Sequence, residues 1–246
     1  MKIAIIGGSL LKGLSNLSTA TEEGVNTPFG IPSGNFVTGM VDDIEVIYIN
    51  RHGSDHHIAP HQINYKANMF VLKTLEVTDI IAVTAVGGIT DAMSPMKWVV
   101  PDQLIDYTHG RAQTYSDVND TEVNHIDFSY PFDETLRNRL LTVLEKQGCE
   151  HETQGTYGVT QGPRLETAAE IKRMQQDGCD IVGMTAMPEA SLARELEMSY
   201  ATLSLVVNWA AGKGGGAMVS MDEIRGLIAE GNTVCEKIIN EVITCS

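Results

Sequence analysis

The sequence is poor in basic charge: 17 Lys and Arg stand against 32 Asp and Glu in 246 residues, a formal net charge of −15. That balance argues against a nucleic-acid partner or an anionic membrane surface, because both need a basic footprint. An anion, if bound, must be held by a few local donors working against the global field. No apolar run approaches the roughly 18–20 residues of a membrane span. The opening Met-Lys-Ile-Ala-Ile-Ile starts like a signal peptide, but Gly7-Gly8-Ser9 stops it after four apolar residues, so a cytoplasmic protein is expected. The four cysteines, Cys149, Cys179, Cys235 and Cys245, are widely spaced with no C-x-x-C, which excludes a zinc knuckle and a dithiol redox motif. They read as buried free thiols. Internal repeats, low-complexity tracts and long linkers are also missing.

What is present is ordinary globular composition, 43% hydrophobic and 20% charged, long enough for a substantial core and read as one domain over residues 1–246. Lys2–Ile6, Ile44–Ile49 and Asp79–Val83 are short apolar runs that predict buried strands. They stop at Gly7-Gly8-Ser9, Asn50-Arg51-His52-Gly53 and Thr84-Ala85-Val86-Gly87-Gly88, the small, polar or basic residues expected where strand ends build a site. Helical spacing runs through Ala67, Phe70, Val71 and Leu75, and again through Leu136, Leu140, Val143 and Leu144, closed by Gly148. Asp180–Met184 and Ala201–Val207 predict further strands, with a helix over Glu189–Met198 behind Pro188. The last helix opens on a capping box, Ser220-Met221-Asp222-Glu223, and buries Ile224, Leu227, Ile228, Cys235, Ile238 and Val242. Val25–Gly39 is rich in turn residues and is expected to cross the surface. The alternation predicts an α/β fold: a single domain with a central mixed β-sheet flanked by helices.

Gly7-Gly8-Ser9 is neither a P-loop nor a dinucleotide fingerprint, since G-K-[ST] and the G-x-G-x-x-G spacing are both missing. It offers backbone N–H groups beside a hydroxyl, a possible anion cradle. Arg51 closes a buried strand and needs an anionic partner, either a structural carboxylate or a phosphate matched to its planar fork. His52, His56, His57 and His61 include two pairs spaced i and i+4. Gly53 and Pro60 interrupt any helix there and no H-E-x-x-H is present, so no metal is expected.

His52-Gly53, His56, Pro60 and Asn64-Tyr65-x-Ala67-Asn68, followed by Thr84-Ala85-Val86-Gly87-Gly88, resemble the trimeric purine nucleoside phosphorylase and methylthioadenosine phosphorylase family. Gly162-Pro163-Arg164-Leu165-Glu166-Thr167 and Gly183-Met184-Thr185-x-Met187-Pro188-Glu189 are similar to it too, and the motifs keep their order over nearly the whole chain. The resemblance implies the nucleoside phosphorylase fold and cleavage of a purine nucleoside by inorganic phosphate, giving free base and a sugar 1-phosphate. It implies that Ser9, Arg51, His52, Thr84, Ala85 and Thr185 hold the phosphate and that Met184 lies against the sugar. No metal or organic cofactor is implied, and phosphate is a co-substrate. The transition state of such a transfer is oxocarbenium-like. Its nucleophile is already anionic and needs positioning, while the departing purine needs its negative charge stabilised.

Two positions bear on the base. Family members acting on 6-aminopurines carry Asp-x-Asp at the positions of Asn208 and Ala210; members acting on 6-oxopurines carry asparagine at the first. The Asn208 amide can donate to O6 and N7, and Glu166, acceptor-only when ionised, suits the N1–H of a 6-oxopurine. A helix or turn cap is the plainer reading of Asn208, and an ordinary first-turn carboxylate that of Glu166. Leu165 stands where a phenylalanine usually stacks on the base.

Met221 occupies the place of a histidine that binds the 5′-hydroxyl of ordinary nucleosides, and with Ile224 it would make an apolar 5′ pocket. His125 resembles a histidine supplied by a neighbouring subunit, which implies a homotrimer, alone or paired into a hexamer. Together these readings give 5′-methylthioinosine as the expected substrate, with hypoxanthine and 5-methylthioribose 1-phosphate as products. The alternatives are an inosine/guanosine phosphorylase, then a methylthioadenosine phosphorylase, and, in a different class, a non-catalytic nucleoside-binding module.

Overall fold

The apolar runs near the N-terminus form the middle of a mixed sheet in the computed structural model, which describes residues 2–23, 25–116, 123–216 and 218–245. In chain order the strands are β1 (Lys2–Gly7), β2 (Ser18–Glu23), β3 (Phe36–Val41), β4 (Ile44–Asn50), β5 (Asp79–Gly88) and β6 (Trp98–Val99). They continue as β7 (Gln103–Asp106), β8 (His151–Glu152), β9 (Thr156–Val159), β10 (Ile181–Gly183) and β11 (Ser199–Trp209). The helices are α1 (Tyr65–Thr74), α2 (Glu134–Lys146), α3 (Ala168–Asp177), α4 (Ala186–Glu195) and α5 (Met221–Thr244). None of them is long and apolar enough to cross a membrane.

β1 and β5 are apolar without alternation because both of their faces are covered. Ala4, Ile6, Ile80 and Ala82 face a core shared with α1 and α4, whereas Ile3, Ile5, Ile81 and Val83 face one shared with α2 and α5. The sheet runs β2-β3-β4-β1-β5-β10-β9-β7, and β11 joins the other side of β5. β1 pairs parallel with β5 only as far as Ile6 opposite Ala82. β10 then pairs antiparallel with Gly87 and Gly88, while β11 covers the opposite side of β5 from Asp79 to Gly88. Val83–Val86 therefore have no strand partner on the β1 side, and this notch in the sheet positions the site.

Most expected elements are found with shifted ends. β5 continues through Thr84–Gly88 instead of stopping at Val83, because β11 supplies a partner along its whole length. The surface course expected for residues 25–39 ends in β3, where Phe36 is fully buried against the core. The helix after Pro188 ends at Glu195, three residues short of Met198. At α5, Ser220 accepts from the Glu223 N–H as a cap, and α5 buries Ile224, Cys235, Ile238 and Val242, with Leu227 and Ile228 partly covered. All four thiols are free, but only Cys179 and Cys235 are buried.

Candidate active site

The notch opens into a cavity of about 1040 Å³ lined from several elements. Ser9, Arg51, His52, Thr84, Ala85 and Thr185 converge at one end, and Leu165, Glu166, Met184, Asn208 and Met221 line the rest. Two expected residues lie off it. Ala210 is buried behind the wall, packed with Ile89, Ile171 and Val182, and its neighbours Gly87 and Val182 line the cavity in its place. His125 is exposed and outside the cavity of its own chain.

Arg51 is only 1% exposed and has both partners that its position demanded. Nε donates to Glu189 Oε1 at 2.7 Å and Nη2 to Oε2 at 3.1 Å, a bidentate pair. Nη1 donates to the Val83 carbonyl at 2.8 Å, in the unpaired stretch of β5, and Nη2 also reaches the Ile6 carbonyl at 3.3 Å. One Nη1 N–H is left, on a residue that lines the cavity. Burial works against the charge and Glu189 more than offsets it, so the guanidinium is held above its ordinary range. The structural carboxylate and a phosphate are thus compatible partners, not alternatives.

The glycine turn serves this arginine. A Cβ on Gly8 would come within 2.7 Å of Arg51 Nη1, and one on Gly7 within 2.1 Å of the Tyr48 hydroxyl. The Gly8 N–H is committed to the Leu11 carbonyl at 3.0 Å, so it does not serve as an anion donor. Ser9 Oγ lies 3.2 Å from His56 Nε2, and the His56 ring is 4.4 Å from that of His52.

His52 Nδ1 meets the Ile58 carbonyl at 2.8 Å, which makes Nδ1 the donor and leaves Nε2 a lone pair. Burial, then the Arg51 charge, pushes its pKa down to about 4, so the ring is neutral at pH 7. Nε2 is accordingly able to accept a hydrogen bond from a hydroxyl. Thr84 Oγ1 shares a hydrogen with Ser204 Oγ at 2.8 Å. Thr185 stands at the N-cap of α4, yet its hydroxyl makes no capping bond.

Asn208 is aimed by an irregularity. The β11–β5 register slips between Val206 and Asn208, and such a bulge re-aims a strand-end side chain. Asn208 Nδ2 donates to the Trp209 carbonyl at 2.7 Å, leaving a second N–H, and sits where a Cβ on Gly87 would be 3.3 Å away. Glu166 Oε1 accepts from Thr160 Oγ1 at 2.6 Å, which orients the carboxylate. Met221, 51% exposed, lies at the start of α5, with Ile224 and Ile228 on the same wall.

Several contributors escaped sequence reasoning. Glu189 stood in a quoted motif without a role. Thr160 and Ser204 carried no signal. Arg111 ties the segment after β9 to the segment after β10 through the carbonyls of Gln161 and Met184, both at 2.8 Å.

A family model described as "Phosphorylase superfamily" matches residues 2–244. A Pseudomonas syringae pv. tomato protein named "Probable S-methyl-5'-thioinosine phosphorylase" is 49% identical over 99% of this chain and 98% of its own. The "6-oxopurine nucleoside phosphorylase" of Pyrococcus furiosus is 44% identical over 87% of this chain and 82% of its own. Among solved structures, methylthioadenosine phosphorylase from Schistosoma mansoni in complex with adenine superposes with a TM-score of 0.93 at 31% identity. That match covers 99% of this chain and 91% of that one.

Proposed function

The chain belongs to the phosphorylase superfamily, and from that premise we propose that it cleaves S-methyl-5′-thioinosine with inorganic phosphate, giving hypoxanthine and 5-methylthioribose 1-phosphate. The observation that carries this reading is the pair Asn208 and Glu166 on one cavity, with alanine at 210. A 6-oxopurine offers O6 and N7 to the free Asn208 N–H and its N1–H to Glu166. The name of the Pseudomonas syringae relative supports the same substrate.

In the proposed reaction, Ser9, Thr84, Thr185, the Ala85 N–H and the remaining Arg51 donor hold the phosphate, and His52 Nε2 accepts its proton. The C1′–N9 bond breaks as the phosphate oxygen approaches, passing through an oxocarbenium-like sugar. Negative charge moves onto the purine, where the Asn208 amide stabilises it. Met184 packs on the sugar. Met221, Ile224 and Ile228 take the methylthio group, and Leu165 covers the base.

The proposal treats residues 1–246 as one catalytic domain that works as a homotrimer, or as two trimers paired, with His125 of a neighbouring subunit completing the 5′ pocket. Half-exposed Met221 leaves room for such a contribution. Four free thiols suit a reducing cytoplasm.

A second reading, a general inosine/guanosine phosphorylase, is favoured by the polar Arg225, one turn from Met221 on the cavity lining, and by the Pyrococcus furiosus relative. Initial rates with 5′-methylthioinosine, inosine and 5′-methylthioadenosine, each with and without phosphate, test both. Phosphate-dependent cleavage favouring methylthioinosine is expected. Equal inosine cleavage would keep the base assignment and remove the apolar pocket, and preference for methylthioadenosine would overturn Asn208 and Glu166.

A further inference from the structure

Tyr157, in β9, has no part in the mechanism above. Its ring is fully buried, and its hydroxyl has no hydrogen-bond partner among the described residues. Unpaired buried hydroxyls are rare because desolvation without a partner is costly. The surroundings are nevertheless polar: the hydroxyl lies against the side chains of Thr84 and Thr185, close to the charges of Arg51 and Glu189. Burial pushes the phenol pKa up to about 12, so it stays protonated and is a donor. Space is kept for it, since a Cβ on Gly183 would stand 2.1 Å from the hydroxyl. Gly183 leads directly into Met184-Thr185 on the cavity wall.

The hydrogen inventory explains the orphan. A threonine hydroxyl has one hydrogen and spare lone pairs. Thr84 has Ser204 as a partner, but the Thr185 hydroxyl makes no capping bond at the start of α4. When Thr185 donates its hydrogen to phosphate, its oxygen becomes a better acceptor, and Tyr157 is the buried donor beside it.

We propose that Tyr157 is a positioning residue of the phosphate site, donating to Thr185 Oγ1 when Thr185 donates to bound phosphate. The proposal rests on the phosphate reading above. Its test is Tyr157→Phe, which removes one oxygen and keeps the ring, measured by phosphorolysis kinetics and by melting with and without inorganic phosphate. The phosphate KM should rise about three- to ten-fold, as for loss of one hydrogen bond. The nucleoside KM should hold, and the phosphate-induced rise in Tm should shrink. Without phosphate, Tm should stay level or rise, because the wild-type hydroxyl has no partner to lose.

Thr185→Val supplies the route: the double variant should be no worse for phosphate than Thr185→Val alone. An unchanged phosphate KM in Tyr157→Phe, a lower phosphate-free Tm, or additive losses in the double variant would each overturn the proposal. Wild-type turnover and melting indifferent to phosphate would overturn the phosphate reading itself, and this proposal with it.

Discussion

The two ends of the cavity are built differently. At the end proposed to hold phosphate, Arg51, His52, Thr84 and Thr185 are buried on or beside strand ends, and a buried carboxylate fixes the arginine. At the other end, Leu165 is 41% and Met221 51% exposed, carried by a loop and by the first turn of a helix. The reaction needs the same phosphate geometry whatever the nucleoside, so that end can be locked into the core. Under the proposed function the base and the 5′-substituent are what distinguish one nucleoside from another, and the residues proposed to face them are single choices at the rim. Charge handling is therefore tied to folding here, whereas specificity is nearly free of it.

Removing Glu189 should break that contrast most severely. Glu189→Ala leaves the Arg51 guanidinium buried without its counter-charge and frees the Tyr200 hydroxyl that also donates to Glu189 at 2.9 Å. A loss of about 3–5 kcal/mol is expected, read as a fall in the urea midpoint. Wild-type stability in this variant would show that the phosphate end is not prebuilt.

Asn208→Asp should leave folding intact and strike chemistry. Loss of a donor to a developing anion costs about 10²–10³ in rate, so turnover of hypoxanthine nucleosides should fall by that order while adenine nucleosides gain relative to them. Measured kcat/KM on both bases checks this; unchanged selectivity would demote Asn208 to a helix or turn cap.

How much of this was legible follows the same division. Strand runs, helix periodicity and the motifs at strand ends could be read because each is local in the chain. The length of β5 could not, since Thr84–Val86 become strand only through β11, more than a hundred residues later, and Gly87 and Gly88 through β11 and β10 together. Glu189 as the partner of Arg51 was equally hidden: 138 residues separate them, and the sequence shows only that an anion is required. Gly7 and Gly8 were read for their N–H groups, but their role is the room they leave for Tyr48 and Arg51. Asn208 was legible as a residue type, though the register slip that aims it was not.

A pH profile tests the locked end more gently. His52 titrates near 6.5 when unfolded and near 4 when folded, held down first by burial and then by Arg51. Between those values the unfolded chain binds more protons. Stability from this group is thus complete above pH 6.5 and is lost as pH falls toward 4, at up to roughly 1.4 kcal/mol per pH unit. His52→Gln should flatten urea-derived stability across that window. Part of the slope should survive, because burial, Lys12 and Arg51 also lower the His56 pKa.

The smallest effect is expected where the contrast is sharpest. Met221→His changes one half-exposed side chain at the start of α5, away from the Arg51–Glu189 network, so stability should stay within about 0.5 kcal/mol. A histidine there can hydrogen-bond a 5′-hydroxyl, a net gain of about 1 kcal/mol for inosine. The methylthio group loses apolar contact at the same position. The ratio of inosine to methylthioinosine cleavage should therefore rise about five-fold or more, with phosphate KM unchanged. An unmoved ratio would make Met221 a packing residue and shift the 5′ specificity to Ile224 and Ile228. A changed phosphate KM would instead show that the two ends are coupled, which is the outcome that the separate construction of the cavity forbids.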